Sequence, residues 1–343
     1  MQHDYLPDNG RETVPSEAGA MDPNTLAQID HYIAENFPTL LSLLIVRRGY
    51  LVVERYYNQS RHEDSINIKS VTKSIISTLV GIALHKGYLT SLDQRVEEFF
   101  PQYFPPDCDP GKREISLQHL LTLRSGLSWV ESSAESLPGL FASDNWVQYG
   151  LRLPLLHTPG EVFAYSTLDA HLLSAVLSRA TGSSTLAFAN AYLFNSSGSK
   201  ATEWACDPQG YCIGGSELRL TPRDMAKIGN LYLRRGRQAG EQIIPEEYLD
   251  TATHTQVFTG IDVIADPNEV FSDTYGYLWW ISTVGPYTSF YALGYGGQTI
   301  YVIPALDVVL VTTARQDVPR NLGAGLRAFT LARDIAEQFV MPV

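Results

Sequence analysis

The sequence predicts an α+β fold in which the two ends of the chain build one antiparallel sheet and the middle forms a helical lobe. Two β-rich runs, Leu41–Val46 and Tyr50–Tyr57, surround an Arg-Arg-Gly turn and are typical of a hairpin. Strand-like segments return near the end of the chain, separated by short turns: Thr288–Leu293, Thr299–Ile303 and Val308–Thr313. Helical patterns dominate between them, so the terminal strands are expected to share one layer.

The remaining elements follow in order along the chain. Residues 1–22 lack a recurring apolar pattern and are expected to be a flexible lead-in. Asn24 is expected to cap a helix that runs to about Phe37. Helical spacing predicts further helices, of which the last is amphipathic and closes the chain: Ser70–Lys86, Ser116–Leu123, Leu168–Ala180, Leu186–Phe194, Pro222–Arg234, Pro245–Thr253 and Gly323–Phe339.

This order divides the chain into a lead-in and two structural domains. We expect residues 23–64 and 256–343 to form the sheet domain, and residues 65–255 to form the mainly helical lobe. A cleft between a sheet and a helical lobe is a common place for a small-molecule site.

Composition narrows the classes of function. The chain has 343 residues, 44% hydrophobic and 18% charged, as in ordinary globular enzymes. A formal net charge of −12 disfavours nucleic acid and anionic lipid as partners, because both require a basic surface. No Cys/His cluster has zinc-ligand spacing, so neither a metal nor another cofactor is expected. Cys206 and Cys212 flank a short loop and are either a disulfide in an oxidising compartment or two free thiols.

Nothing in the sequence indicates a secretory signal or a membrane span. The polar start lacks the basic and apolar regions of a signal peptide, which favours a cytoplasmic protein or an exported one whose signal has been removed. The most apolar segment, Ile75–Leu84, is too short to cross a bilayer.

The motif S-x-x-K at Ser70–Lys73 is the first candidate for catalysis. A serine hydroxyl needs a base to become a nucleophile, and residues three apart on a helix share a face. The apolar helix that follows would be buried, and burial disfavours the charged form of a lysine amine. Ser70 would then lie at a helix N-terminus, where free amides stabilise an oxyanion. A second copy, Ser197–Lys200, lies in a Ser/Gly loop and lacks a helix to fix its geometry.

Two further segments contain candidate catalytic groups. Tyr165 precedes a predicted helix, and a phenol can act as a base when a neighbouring cation such as Lys73 stabilises its phenolate. The run Gly294–Gln298 lies between two predicted strands, where glycines allow close approach of a substrate backbone. An amide in this run could complete an oxyanion hole opposite the Ser70 amide. Tryptophans, Trp146 foremost, are candidates to contact the substrate, with core packing as the alternative.

Together these segments resemble the serine β-lactamase and penicillin-binding-protein superfamily. The similar branch is that of class C β-lactamases, with D-alanyl carboxypeptidases, family VIII esterases and nylon-oligomer hydrolases. The resemblance extends from about residue 40 to the C-terminus and rests on five ordered segments: Ser70–Ser74, His119–Leu127, Pro159–Thr167, Leu220–Gly229 and Gly294–Pro304. It implies a β-lactamase/transpeptidase-like fold.

The resemblance also implies roles for individual residues. Ser70 would be the acylated nucleophile, Lys73 and Tyr165 would share the proton transfers, and the Ser70 and Gln298 amides would form the oxyanion hole. Thr167 stands where the family's Y-x-N motif has asparagine. The family's K-T-G motif is matched by three residues that would contact the substrate: Tyr295, Gly296 and Gly297.

The tyrosine at this position decides the ranking of substrates. It removes the cation that would meet the carboxylate of a β-lactam or a D-Ala peptide, and a lost charge-assisted contact costs about 1.5–3 kcal/mol. We therefore expect an esterase or amidase acting on a small ester, amide or peptide, ahead of a β-lactamase or D-alanyl carboxypeptidase. A catalytically silent binding or regulatory member is the alternative from another class. A Ser-His-Asp hydrolase is disfavoured because no G-x-S-x-G segment is present.

Overall fold

One antiparallel sheet joins the two ends of the chain. The computed structural model describes residues 22–133, 135–195, 198–199, 201–262, 272–317 and 331–340. Their strands are β1 (Leu40–Arg47), β2 (Tyr50–Tyr56), β3 (Ile66–Asn67), β4 (Arg219–Leu220), β5 (Arg237–Gln238), β6 (Glu241–Gln242), β7 (Val257–Asp262), β8 (Ser272–Tyr275), β9 (Trp280–Val284), β10 (Tyr287–Gly294), β11 (Gln298–Ile303) and β12 (Val308–Ala314).

Eight of these strands form the main sheet, in the order β2-β1-β12-β11-β10-β9-β8-β7. The N-terminal hairpin pairs with the last strand, so that Leu44 lies opposite Val311. Strand β12 is buried along its whole length, as expected for a central strand covered on both faces. The prediction of an α+β fold with a sheet built from both chain ends is thereby confirmed.

Helices pack on this sheet, and most of them lie in the chain between its N-terminal hairpin and its C-terminal strands. The α-helices are α1 (Pro23–Asn36), α2 (Val71–His85), α3 (Val96–Phe99), α4 (Leu117–Leu121), α5 (Ser136–Phe141), α6 (Trp146–Arg152), α7 (Thr167–Thr181), α8 (Thr185–Ala189), α9 (Pro222–Leu233), α10 (Glu246–Ala252) and α11 (Leu331–Ile335). Short 3₁₀ turns cover Pro101–Tyr103, Pro110–Glu114 and Pro304–Leu306, and π turns cover Asn190–Phe194 and Ala336–Val340.

Helix α2 lies at the centre of the molecule. Its residues Val71–Ala83 are all buried, because the helix contacts α7, the sheet and α10 at once. A helix that is apolar on nearly every face needs such surroundings. The predicted buried helix after Ser70 is therefore confirmed, and it gives the Ser70 end a rigid support.

Several boundaries differ from the predictions. Asp22, not Asn24, caps α1: its carboxylate accepts the Thr25 amide at 3.3 Å, and Pro23 takes the first helical position, where its missing N–H is no loss. Strands β7, β8 and β9 were not predicted. Residues 1–21, which include nearly all of the predicted lead-in, and the start of the predicted helix Gly323–Phe339 lie outside the described residues.

Candidate active site

Ser70 is held at the N-terminal end of the buried helix α2. A serine at this position usually accepts a hydrogen bond from an amide of the first turn, but the Ser70 hydroxyl makes no such bond and contacts Lys73 instead. The preceding residue, Lys69, has φ +51°, a left-handed conformation that is strained for a side chain other than glycine.

Neighbouring backbone segments fix this strained turn. The Ile68 amide donates to the Leu218 carbonyl at 2.9 Å, and β3 pairs with β4 just before it. On the other side, a Cβ atom at Gly294 would lie 2.4 Å from the Ile68 carbonyl oxygen, so only glycine allows the end of β10 to approach. Gly294 thus allows β10 to approach the Ser70 turn, whereas the predicted approach of a substrate backbone to the glycine run stays a prediction.

The Lys73 amine has three oxygen partners. Its Nζ atom lies 3.1 Å from Ser70 Oγ, 3.0 Å from Thr167 Oγ1 and 3.0 Å from the Gly215 carbonyl oxygen. The side chain is 1% exposed. The predicted pair Ser70 and Lys73 is thus in contact, and Thr167, which was predicted only to bind substrate, contacts the same amine.

Glu131 completes this network and was not predicted. Its carboxylate accepts the Thr167 amide at 2.8 Å and the Trp129 indole N–H at 2.7 Å. Its other oxygen accepts the Thr167 hydroxyl in a short hydrogen bond. No sequence motif marks this glutamate, because its partner Thr167 lies 36 residues away in the chain.

The direction of each bond follows from these partners. A carboxylate can only accept, so the single Thr167 hydroxyl hydrogen points to Glu131 and an oxygen lone pair faces Lys73. The Gly215 carbonyl oxygen also only accepts. A neutral amine uses its two N–H groups on Thr167 and Gly215, and its lone pair then faces Ser70 Oγ. The network has the geometry that proton removal from Ser70 requires.

Tyr165 lies beside the same amine. Lys73 Nζ is 4.9 Å from the centre of the Tyr165 ring, within the range of a cation–π contact. The ring stacks on Trp280 at 5.8 Å, which holds it at the cleft. The structure thus places the ring of Tyr165 beside the Lys73 amine, and Tyr165 and Ser70 both line the cleft.

A buried carboxylate joins the two walls of the site. Asp169, in the first turn of α7, accepts hydrogen bonds from the hydroxyls of Ser125 at 2.9 Å and Ser166 at 3.0 Å. Ser125 precedes the segment that carries Glu131, and Ser166 lies between Tyr165 and Thr167. Burial raises the pKa of the Asp169 carboxyl to about 7.

The predicted Gly294–Gln298 motif forms the turn between β10 and β11. Gly296 and Gly297 have φ values of +89° and +102°, which favour glycine. The Gln298 side chain is buried and donates to the Ala314 carbonyl at 2.8 Å, so it anchors the turn to β12. Tyr295 lines the cleft, whereas the other four residues of the motif are absent from its lining. Substrate contact by Gly296 and Gly297 stays a prediction.

The residues around Ser70 enclose a cleft of about 650 Å³. Its lining combines polar groups near Ser70 with apolar residues farther out: Lys69, Ser70, Trp129, Val130, Glu131, Ser132, Leu137, Phe141, Ala164, Tyr165, Thr167, Gly215, Ser216, Glu217 and Tyr295. The expectation that Trp146 contacts the substrate is wrong. Trp146 is only 5% exposed and packs behind Phe141, and the tryptophan at the cleft is Trp129.

Other predicted features bear less on the site. Ser197 and Lys200, the ends of the second S-x-x-K copy, lie outside the described residues. Within the ranges that the structure describes, no three His, Cys, Asp or Glu side chains come together as metal ligands. None of the described helices is both long and apolar enough to cross a membrane.

The chain is similar to hydrolases of known sequence. Esterase EstB of Burkholderia gladioli is 25% identical over 237 residues, which are 65% of this chain and 60% of the esterase, so the match spans less than two thirds of that protein. The 6-aminohexanoate-dimer hydrolase of Paenarthrobacter ureafaciens is 22% identical over 293 residues, or 80% of this chain and 72% of the hydrolase.

A solved structure supports the fold and a family model gives the classification. A putative beta-lactamase from Bacteroides dorei superposes with a TM-score of 0.75 and 19% identity, over 94% of this chain and all (100%) of that one. The family model for beta-lactamases matches residues 33–332, which is most of the chain. Because the match covers well over half of the chain, including Ser70 and Lys73, the chain belongs to the beta-lactamase family.

Proposed function

We propose that this protein is a serine hydrolase that cleaves small, uncharged carboxylic esters or amides through an acyl-Ser70 intermediate. The observation that carries the proposal is the contact of 3.1 Å between Lys73 Nζ and Ser70 Oγ. Thr167 and Gly215 are the other two partners of the amine, at 3.0 Å each, so in the neutral form that acts as a base the lone pair is left for Ser70 Oγ.

The reaction has two acyl-transfer steps. Ser70 Oγ attacks the carbonyl carbon while its proton passes to Lys73, and the carbonyl electron pair moves onto the oxygen. The Ser70 and Gln298 amides are proposed to stabilise that oxyanion. The intermediate collapses, and the leaving alcohol or amine takes a proton from the Lys73/Tyr165 pair. A water molecule then attacks the acyl-Ser70 ester and gives its proton to the same pair. The bond between Ser70 Oγ and the acyl carbon breaks, Ser70 Oγ takes that proton back, and the acid leaves.

The charges at the cleft support a neutral substrate. Glu131 and Glu217 both line it, and Lys69, the additional cation there, is 3.4 Å from Glu217. Tyr295 stands where the family motif has lysine. A substrate carboxylate would meet two negative charges and a cation that is already paired, which disfavours β-lactams and D-Ala peptides.

The outer part of the cleft supports an apolar acyl or alcohol group. Val130 and Phe141 line it and are 59% and 55% exposed, with Leu137 beside them. Large apolar side chains exposed together at a cleft usually mark a binding surface. The names of the related esterase and 6-aminohexanoate-dimer hydrolase agree with ester or amide cleavage.

The decisive experiment compares substrates on the wild type and Ser70→Ala. We expect hydrolysis of p-nitrophenyl butyrate that Ser70→Ala abolishes, and little hydrolysis of a chromogenic cephalosporin. A fluorophosphonate should label wild-type Ser70 stoichiometrically. Efficient cephalosporin turnover would replace the esterase proposal by a β-lactamase, whereas absence of both labelling and turnover would indicate a binding protein.

A further inference from the structure

Cys206 and Cys212 lie opposite each other on a short hairpin that leads into the active-site wall. They form an isolated antiparallel bridge, and their Sγ atoms are 3.5 Å apart. Three residues beyond the second cysteine, the Gly215 carbonyl oxygen accepts the hydrogen bond from Lys73. A covalent change in this hairpin therefore occurs close to the catalytic amine.

The backbone around the two cysteines has the geometry that a disulfide needs. The Asp207 amide donates to the Tyr211 carbonyl and the Ile213 amide donates to the Ala205 carbonyl, both at 2.8 Å. These bonds flank the cysteine pair, which makes it a non-hydrogen-bonded pair of the ladder. Opposing Cα atoms are then about 4.5 Å apart and the side chains are closest, within the spacing of about 4.4–6.8 Å that disulfides span.

We propose that Cys206 and Cys212 are a disulfide-forming pair that locks this hairpin when a small-molecule disulfide such as oxidised glutathione is present. Closing the bond requires only side-chain rotation, because the backbone positions already agree. The locked hairpin would retain the positions of Asp207, which contacts the buried His171 at 3.1 Å, and of Gly215.

The two thiols have different parts in the exchange. Cys206 is exposed and Cys212 is buried, and burial raises the pKa of the Cys212 thiol to about 12. The Cys206 thiolate attacks glutathione disulfide, which releases one glutathione thiolate and leaves a mixed disulfide. Cys212 then loses its proton and attacks Cys206 Sγ, which releases the second glutathione. Two protein thiols are oxidised, one glutathione disulfide is reduced, and the two protons go to the released thiols.

The test is oxidation of the folded full chain with glutathione disulfide, followed by alkylation under denaturing conditions and peptide mass mapping. We expect wild type and Cys108→Ser to lose two hydrogen atoms and to yield a linked Cys206–Cys212 peptide. Cys206→Ser and Cys212→Ser should not form that link. Oxidised wild type should melt about 4 °C higher than the reduced protein, as expected for closing a short loop, whereas oxidant should leave the melting temperature of Cys212→Ser unchanged.

Three results would overturn the proposal. They are alkylation of both cysteines after oxidation, a link that involves Cys108 or a second molecule, and an oxidised form that melts at or below the temperature of the reduced form. A stable glutathione adduct on Cys206 would count against it as well. None of these readouts depends on hydrolytic activity, so the proposal stands or fails separately from the proposed function.

Discussion

Replacing Glu131 by glutamine tests the orientation of the catalytic amine directly. The two donors at Oε2, the Thr167 amide and the Trp129 indole, require an oxygen there, so the new NH₂ group must occupy the Oε1 position. That NH₂ donates to Thr167 Oγ1, whose own hydrogen then turns toward Lys73. The lone pair of the neutral amine becomes engaged by Thr167 and is no longer free for Ser70.

In the Glu131→Gln variant, the hydrogen bond from Thr167 to the Lys73 amine must break before Lys73 can accept the Ser70 proton. The strength of that bond sets the loss of activity. Breaking that bond leaves a buried hydroxyl donor unsatisfied, at a cost of about 1–3 kcal/mol, so kcat/KM should fall by roughly 5- to 150-fold. The loss should lie mainly in kcat and not in KM, because Glu131 bonds to Thr167 and Trp129 and not to the substrate. Rates on p-nitrophenyl butyrate are normalised to fluorophosphonate-titrated sites, with Glu135→Gln, an exposed carboxylate on the same segment, as the matched control. A Glu131→Gln enzyme within about twofold of Glu135→Gln in kcat/KM would refute the reasoning.

The other predictions concern residues on both walls of the cleft. Thr167→Val should lower kcat/KM by roughly 10- to 100-fold because it removes the hydroxyl that Lys73 and Glu131 share, whereas Thr167→Ser should keep most activity; equal activity of the two variants would contradict this. On a Glu131→Gln background, Thr167→Val should cost far less than on wild type, and a fully multiplicative loss would show that the two residues act independently. Burial raises the pKa of Asp169 to about 7, so the folded protein holds a proton that the unfolded chain, with an ordinary value of about 3.9, has lost. Stability from this group therefore falls as the pH rises between about 4 and 7, by at most about 1.4 kcal/mol per pH unit, and urea unfolding of wild type minus Asp169→Asn should show that slope; a pH-independent difference would contradict it. Phe141→Ala should raise KM for a hexanoate ester by about three- to tenfold, given about 0.8 kcal/mol per buried CH₂, and should leave KM for the acetate ester nearly unchanged. An equal rise in KM for both esters would show that the acyl chain binds elsewhere.

Much of the fold could be predicted because it depends on local patterns. The hairpin of β1 and β2 follows from a glycine turn between two β-rich runs, and α2 follows from an uninterrupted apolar run. Strands β8 and β9 were not predicted for a physical reason. Residues such as Tyr275 and Trp280 are buried by aromatic stacking between strands and neighbouring loops, so they lack the alternation that reveals a strand with one exposed face.

The part of the site that lies in one segment follows from residue spacing, whereas the other predicted residues follow from the resemblance to a family. Ser70 and Lys73 share a helical turn, so their contact follows from spacing. Glu131 contacts Thr167 across two separate segments, and only the folded chain brings them together. Trp146 was misjudged because its neighbours Asp144 and Asn145 suggested an exposed loop, whereas Asn145 caps α6 and turns the indole into the core.

The glutamate that sequence patterns missed connects reactivity with substrate choice. The family's Y-x-N asparagine has an amide that can both donate and accept, whereas Thr167 has one hydrogen and must be oriented by a second group. Glu131 accepts the Thr167 hydroxyl and so supplies that orientation, and its carboxylate also lies in the cleft lining, where it would repel an anionic substrate. On the proposed function, a carboxylate that orients the amine is poorly compatible with recognition of a substrate carboxylate nearby. We therefore propose that Glu131 and the tyrosine at position 295 together favour uncharged esters or amides.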